Sequence, residues 1–136
     1  MTAHPFTILI VDDEPHVIYV VKFKLDNAGY NVITADNGKL AYILACEHLP
    51  VLIVTDFQMP GGSGLELATR LKANPETTDI PIIMVTARGH RIAPTELTTT
   101  NIKQVMAKPF SPRELIGHIH ELLQGKISDE SRADAA

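Results

Sequence analysis

The sequence predicts a parallel α/β domain in three layers, a sheet covered by helices on both faces. Three observations lead there. Short, uninterrupted, largely β-branched runs recur at Ile8-Leu9-Ile10-Val11, Val51-Leu52-Ile53-Val54 and Ile82-Ile83-Met84-Val85. Strands buried on both faces look like this. Helical patterns lie between the runs, and right-handed crossovers close such an alternation only as a parallel sheet.

The first run ends at Asp12-Asp13-Glu14. A helix over 14–28 puts Val17, Val20, Val21, Leu25 and Ala28 on one face, and Gly29 stops it. Asn31-Val32-Ile33-Thr34-Ala35 reads as a weaker, edge-like strand, and Asn37-Gly38 turns the chain into a helix over 39–48. Val51 to Val54 then run into Thr55 and Asp56, where Met59-Pro60-Gly61-Gly62 forbids the strand to continue. Gly64 opens a helix with Leu65, Leu67, Ala68 and Leu71 apolar, which fades near Asn74-Pro75. After Val85 the signal weakens. Pro94 suits the first position of a short helix, whereas Thr98-Thr99-Thr100 are poor helix formers. Val105-Met106-Ala107 is a last short strand. Ser111 and Glu114 have the spacing of a capping box, with Pro112 in the first turn of a final helix. Leu115, Ile119, Leu122 and Leu123 face inward there, and Gly125 ends it. One domain is expected over 1–125, followed by a polar, disordered tail over 126–136.

A chain of 136 residues with a formal net charge of -4 and 45% apolar residues has the balance of one soluble domain. No block of lysines or arginines offers a nucleic-acid footprint, and no helix-turn-helix follows the last helix. No apolar run approaches a membrane span, and "MTAHPFTILIVDDE" has none of the features of a secretory leader. The single cysteine, Cys46, reads as a helix core residue; it excludes an intrachain disulfide and points to a reducing, cytoplasmic setting.

In open α/β sheets ligands bind beyond the carboxyl ends of the strands. There stand Asp12, Asp13 and Glu14, then Asp56, then Thr86 and Ala87, then Lys108 and Pro109. Each alone has a plain explanation as a helix cap, a strand residue or a solvated charge. Together they do not, because clustered carboxylates repel unless something positive sits among them. Asp12, Asp13 and Asp56 suit a hard cation such as Mg²⁺, and Lys108 supplies a second positive charge. Such a site is built to receive a phosphoryl group, and a carboxylate within it can be the nucleophile.

The motifs "VDDEP" at 11–15, "DFQMPGGSG" at 56–64, "TA" at 86–87 and "KPF" at 108–110 identify a resemblance to the response-regulator receiver domains of two-component signalling, chemotaxis regulators among them. It covers about residues 6–125. The resemblance implies a flavodoxin-like (βα)5 fold with strand order 2-1-3-4-5. It implies that Asp56 takes a phosphoryl group from a histidine kinase or a histidine phosphotransfer protein. Mg²⁺ would be held by Asp13, by Asp12 mostly through water, by Asp56 and by the backbone carbonyl of Gln58. Lys108 would pair with a phosphoryl oxygen, Thr86 would hydrogen-bond it and carry the switch, and the Lys108–Pro109 bond would be cis. The chain would be a signalling module, with self-dephosphorylation as its only turnover. It would act on an unknown downstream protein, without contacting nucleic acid directly or inserting into a membrane. Asp56 is expected to be exposed, so that a partner can reach it.

Alternatives remain at this stage. The chain is either a single-domain receiver or the receiver part of a longer regulator or hybrid kinase. A haloacid-dehalogenase-type phosphatase is disfavoured, since Gln58 stands where its Asp-x-Asp pattern needs an acid. A degenerate scaffold is disfavoured by the intact key positions. The chain also departs from the family. Val105 occupies the frequent aromatic switch position, and Asn101-Ile102 replaces the usual Gly-Ala before the last strand. A standard dimer through the fourth helix and fifth strand is therefore not expected. Ile18, Tyr19 and Phe23 lie off the expected core face and are candidates for docking a partner helix. His16 and His90 stand near the rim, and Gln58 and Arg88 hold positions that influence phosphoryl lifetime in the family.

Overall fold

The computed structural model describes residues 6–59, 62–87 and 91–135, with side chains as far as residue 124. Five strands, β1 Thr7–Val11, β2 Asn31–Ala35, β3 Leu52–Asp56, β4 Ile82–Thr86 and β5 Ile102–Ala107, alternate with five helices. The helices are α1 Pro15–Asn27, α2 Gly38–His48, α3 Gly64–Ala73, α4 Pro94–Thr98 and α5 Pro112–Ala135. All strand pairs are parallel, and the order is β2-β1-β3-β4-β5.

The uninterrupted runs are strands with two buried faces. Ile8, Ile10, Leu52, Val54, Ile83 and Val85 pack with Val21 and Leu25 of α1 and Leu115, Ile119 and Leu123 of α5. Leu9, Val11, Ile53, Ile82 and Met84 point the other way, onto Ala41, Ala45, Leu67, Ala68 and Leu71 of α2 and α3. Side chains alternate across a strand, so both sets had to be apolar. The same alternation carries Asp12 and Asp56 onto the side of α1 and α5, one step beyond Ile10 and Val54.

Local chemistry sets the helix ends. The Asn37 side chain accepts from the Leu40 N–H at 2.8 Å and opens α2. Ser63 Oγ accepts from the Glu66 N–H at 3.1 Å and opens α3. Glu96 folds back to accept from the Ala93 N–H at 2.8 Å. The three threonines that close α4, Thr98 to Thr100, satisfy its carbonyls: Thr98 and Thr99 hydroxyls donate to the Thr95 carbonyl at 3.0 and 2.8 Å, and Thr100 donates to the Glu96 carbonyl at 2.7 Å. Poor helix formers here finish a helix of five residues rather than loosen it.

Four expectations are corrected. β5 starts at Ile102, not Val105. Its half-exposed sequence alternates, and a bulge between Ile82 and Ile83 shifts its register. Ala28 is exposed, because α1 closes at Asn27 and Gly29 turns away at φ 99°. Ile18 is partly buried against the α1/α5 core instead of lying off it. Finally, α5 does not stop at Gly125: the backbone is helical to Ala135. A helical glycine costs only about 1 kcal/mol relative to alanine and cannot by itself end a helix.

Candidate functional site

The site lies at the carboxyl ends of β1, β3, β4 and β5. β1 delivers Asp12 and Asp13, and β3 delivers Asp56 one residue past the Val11–Thr55 pair of the register. Asp12 and Asp56 are buried, with 4% and 7% of their surface exposed, while Asp13 is exposed. The expectation of an exposed Asp56 is thus corrected. It sits in the floor of an open cavity of about 1040 Å³ and is reached through it. Asp13, Gln58, Met59, Ala87, Lys108 and Phe110 are among the cavity's walls.

Lys108 ties the acids together. Its ammonium lies 3.0 Å from Asp12 Oδ2, 3.3 Å from Asp56 Oδ2 and 2.8 Å from Glu14 Oε1. The Lys108–Pro109 peptide bond is cis, as the resemblance implies. Burial alone pulls the Lys108 ammonium down, but hydrogen bonds to Glu14 and Asp12 and the charges of Asp12 and Asp56 outweigh it and push it up. Asp56 shifts the other way for a carboxylate: burial, then the neighbouring charge of Asp12, raises it despite Lys108.

Asp12, Asp13 and Asp56 each present a carboxylate oxygen within 4.8 Å of the others'. Four carboxylates, Asp12, Asp13, Glu14 and Asp56, stand around the single ammonium of Lys108, more negative charge than one lysine offsets. Hard oxygen donors so close together fit a divalent cation of the Mg²⁺ kind. Gln58 is exposed and lines the cavity wall.

Thr86 is fully buried at the end of β4, and its hydroxyl lies 3.5 Å from the Met106 carbonyl. Val105, one strand away, pairs with Met84 and packs partly buried on the α2/α3 side. Tyr19 and Phe23 are 71% and 54% exposed on α1, outside the cavity. Arg88 and His90 lie outside the described residues. Sequence reasoning placed Glu14 at the rim but gave it no role. No local signal announces its contact with Lys108; Pro15 only disfavours a helical backbone at Glu14, here φ -97° and ψ 109°.

The comparisons with known proteins agree with this geometry. Residues 8–120 match the family model described as the response regulator receiver domain. The chain is 39% identical to the phosphate regulon transcriptional regulatory protein PhoB of Pseudomonas aeruginosa, over 93% of this chain and 56% of that protein. It is 36% identical to the transcriptional regulatory protein SrrA of Staphylococcus aureus, over 86% of this chain and 47% of that protein. The chain thus spans about half the length of these relatives. Among solved structures, the chemotaxis response regulator CheY4 of Vibrio cholerae superposes with a TM-score of 0.78 at 27% identity, covering 85% of this chain and 97% of that one. A response regulator from Desulfuromonas acetoxidans gives 0.76 at 28% identity, covering 88% and 97%. By its sequence, its strand order and the acids and lysine at its strand ends, this chain belongs to the response regulator receiver domain family.

Proposed function

We propose that this receiver is phosphorylated on Asp56 and that the modification switches its hold on a protein partner. The observation that carries this reading is the convergence of Asp56, two further aspartates and Lys108 beside one open cavity, which Asp13, Asp56 and Lys108 line. A carboxylate oxygen of Asp56 attacks phosphorus in a phosphohistidine of a histidine kinase or phosphotransfer protein. The P–N bond breaks, its electron pair returns to the imidazole, and an aspartyl-phosphate forms. Asp12, Asp13, Asp56 and the Gln58 carbonyl would hold Mg²⁺, which supplies charge neutralisation for the transferring phosphoryl oxygens. Lys108 pairs with one of those oxygens, and the Thr86 hydroxyl turns toward another. With Val105 in place of an aromatic, no ring rotation at β5 reports the phosphoryl group. Turnover is limited to slow loss of the phosphoryl group to water.

Tyr19 and Phe23 offer the phosphodonor two exposed rings on α1, and Ile18 beside them in sequence is part-buried against the core. The chain works in the cytoplasm, beside its kinase; among the described residues no helix is long and apolar enough to cross a membrane. A second reading has the same chemistry in a longer protein. The two named relatives are transcriptional regulatory proteins of roughly twice the matched length, so the receiver would there control an output domain.

The test is intact-protein mass spectrometry after incubation with acetyl phosphate and Mg²⁺, beside Asp56→Asn. A single Mg²⁺-dependent phosphoryl adduct, absent from the variant, is expected. An adduct that survives the substitution sinks the assignment of Asp56.

A further inference from the structure

Lys108 is saturated. An ammonium has three N–H donors, and three carboxylates lie within reach of this one. For Lys108 to take a phosphoryl oxygen on Asp56, one contact must be given up. The three are not equally free to leave. Asp12 is buried, and its other oxygen accepts the Glu14 N–H at 2.9 Å. Asp56 is the acceptor itself. Glu14 is different: its side chain is 58% exposed, yet it makes the shortest contact, 2.8 Å. It also stands at the N-cap of α1 without making a side-chain capping bond, so its carboxylate is committed to Lys108 and not to its own helix.

Resting on the reading of Asp56 as phospho-acceptor, we infer that Glu14 is a displaceable counter-ion, which occupies the third donor of Lys108 until a phosphoryl oxygen replaces it. Glu14 is a positioning residue: it acts through Lys108 and holds that amine toward the cavity mouth, where Glu14 also lines the wall. Its negative charge stands where an anionic phosphodonor must enter. Each phosphoryl group that binds must win Lys108 from Glu14, so the carboxylate lowers the site's affinity for the group without touching phosphorus. The exchange is possible because an exposed ion pair is weak.

The experiment compares wild type, Glu14→Gln and Glu14→Ala at saturating Mg²⁺. The rate of Asp56 phosphorylation is followed across a series of acetyl phosphate concentrations. Binding of beryllofluoride, a phosphoryl mimic, is followed in parallel by backbone amide NMR. Both variants should need roughly 1.5- to fivefold less donor and mimic for half effect, the factor that an exposed ion pair commands. The limiting rate should change much less. Glu114→Gln, an equal change of charge on the first turn of α5, should leave both affinities as they are. Unchanged or weakened affinity in the Glu14 variants overturns the inference, as does an equal gain in Glu114→Gln. Failure of wild type to take a phosphoryl group under the same conditions overturns the reading of Asp56 beneath it.

Discussion

Gly64 stands so close under Asp56 that a β-carbon at position 64 would overlap the Asp56 carbonyl oxygen. The same atom would press on the Met84 sulfur at 2.9 Å. The Gly64 N–H donates to the Phe57 carbonyl at 2.7 Å, so the start of α3 is fastened directly to the end of β3. The glycine is needed for closeness, not for an unusual turn.

Gly64→Ala should therefore act on the site through the backbone. The methionine sulfur can swing away, but the Asp56 carbonyl can only move with its strand. Overpacking of this kind costs about 1–3 kcal/mol. A displacement of Asp56 by a fraction of an ångström should slow phosphorylation by acetyl phosphate by roughly tenfold or more. Urea unfolding and the adduct-formation rate check the two halves separately. A variant with wild-type stability and rate would show that β3 can yield without consequence.

Lys108→Ala should be rescued by a cation. Removing the ammonium leaves Asp12 and Asp56 buried side by side without a counter-ion. Stability should fall by about 2 kcal/mol or more in EDTA, the penalty expected when a buried charge loses its partner. Added Mg²⁺ should recover most of that loss and should bind the variant more tightly than wild type, because no lysine competes for the acids. Thermal melts with and without Mg²⁺, and calorimetric titration, give both numbers. Equal Mg²⁺ affinities in variant and wild type would contradict the competition.

Asp56 gives stability a definite pH slope. Its carboxyl is raised in the folded state, first by burial and then by Asp12. From the ordinary carboxylate value up to the raised one, the folded chain holds a proton that the unfolded chain has lost. Stability therefore falls as pH rises through that window. Asp56→Asn should lack this component and should be the more stable protein above the window, in metal-free buffer. Melting temperatures between pH 4 and 8 test this; a slope that Asp56→Asn leaves unaltered would place its origin elsewhere. Lys108 runs in the same direction in a different window, since its raised ammonium contributes stability that is lost only under strongly basic conditions.

How far the sequence could be read depended on whether one element carried its own signal. Ile8 to Val11 and Ile82 to Val85 declared themselves because both faces of each strand are buried. Ile102 to Gln104 did not, since their burial alternates and a bulge breaks the register. Asp12, Asp13, Asp56 and Lys108 were legible as strand-end residues, and the structure brings them together. The depth of Asp56 was not, because the walls that bury it come from distant segments. Glu14 was invisible as a partner of Lys108 for the same reason: nothing local announces a contact between the beginning of the chain and the end of β5. Ile18 was misplaced because a helix face can be judged only against the neighbours that cover it, here the α1/α5 core.

The position of β1 between β2 and β3 has a consequence for quality control. The acids on β1 and β3 become neighbours only when these two strands pair across the intervening α1, β2 and α2. Parallel pairings of this sort close large loops and come late in folding. A partly folded chain therefore has aspartates but no acceptor. Phosphate on Asp56 would therefore mark chains in which the ends of β1, β3 and β5 have come together.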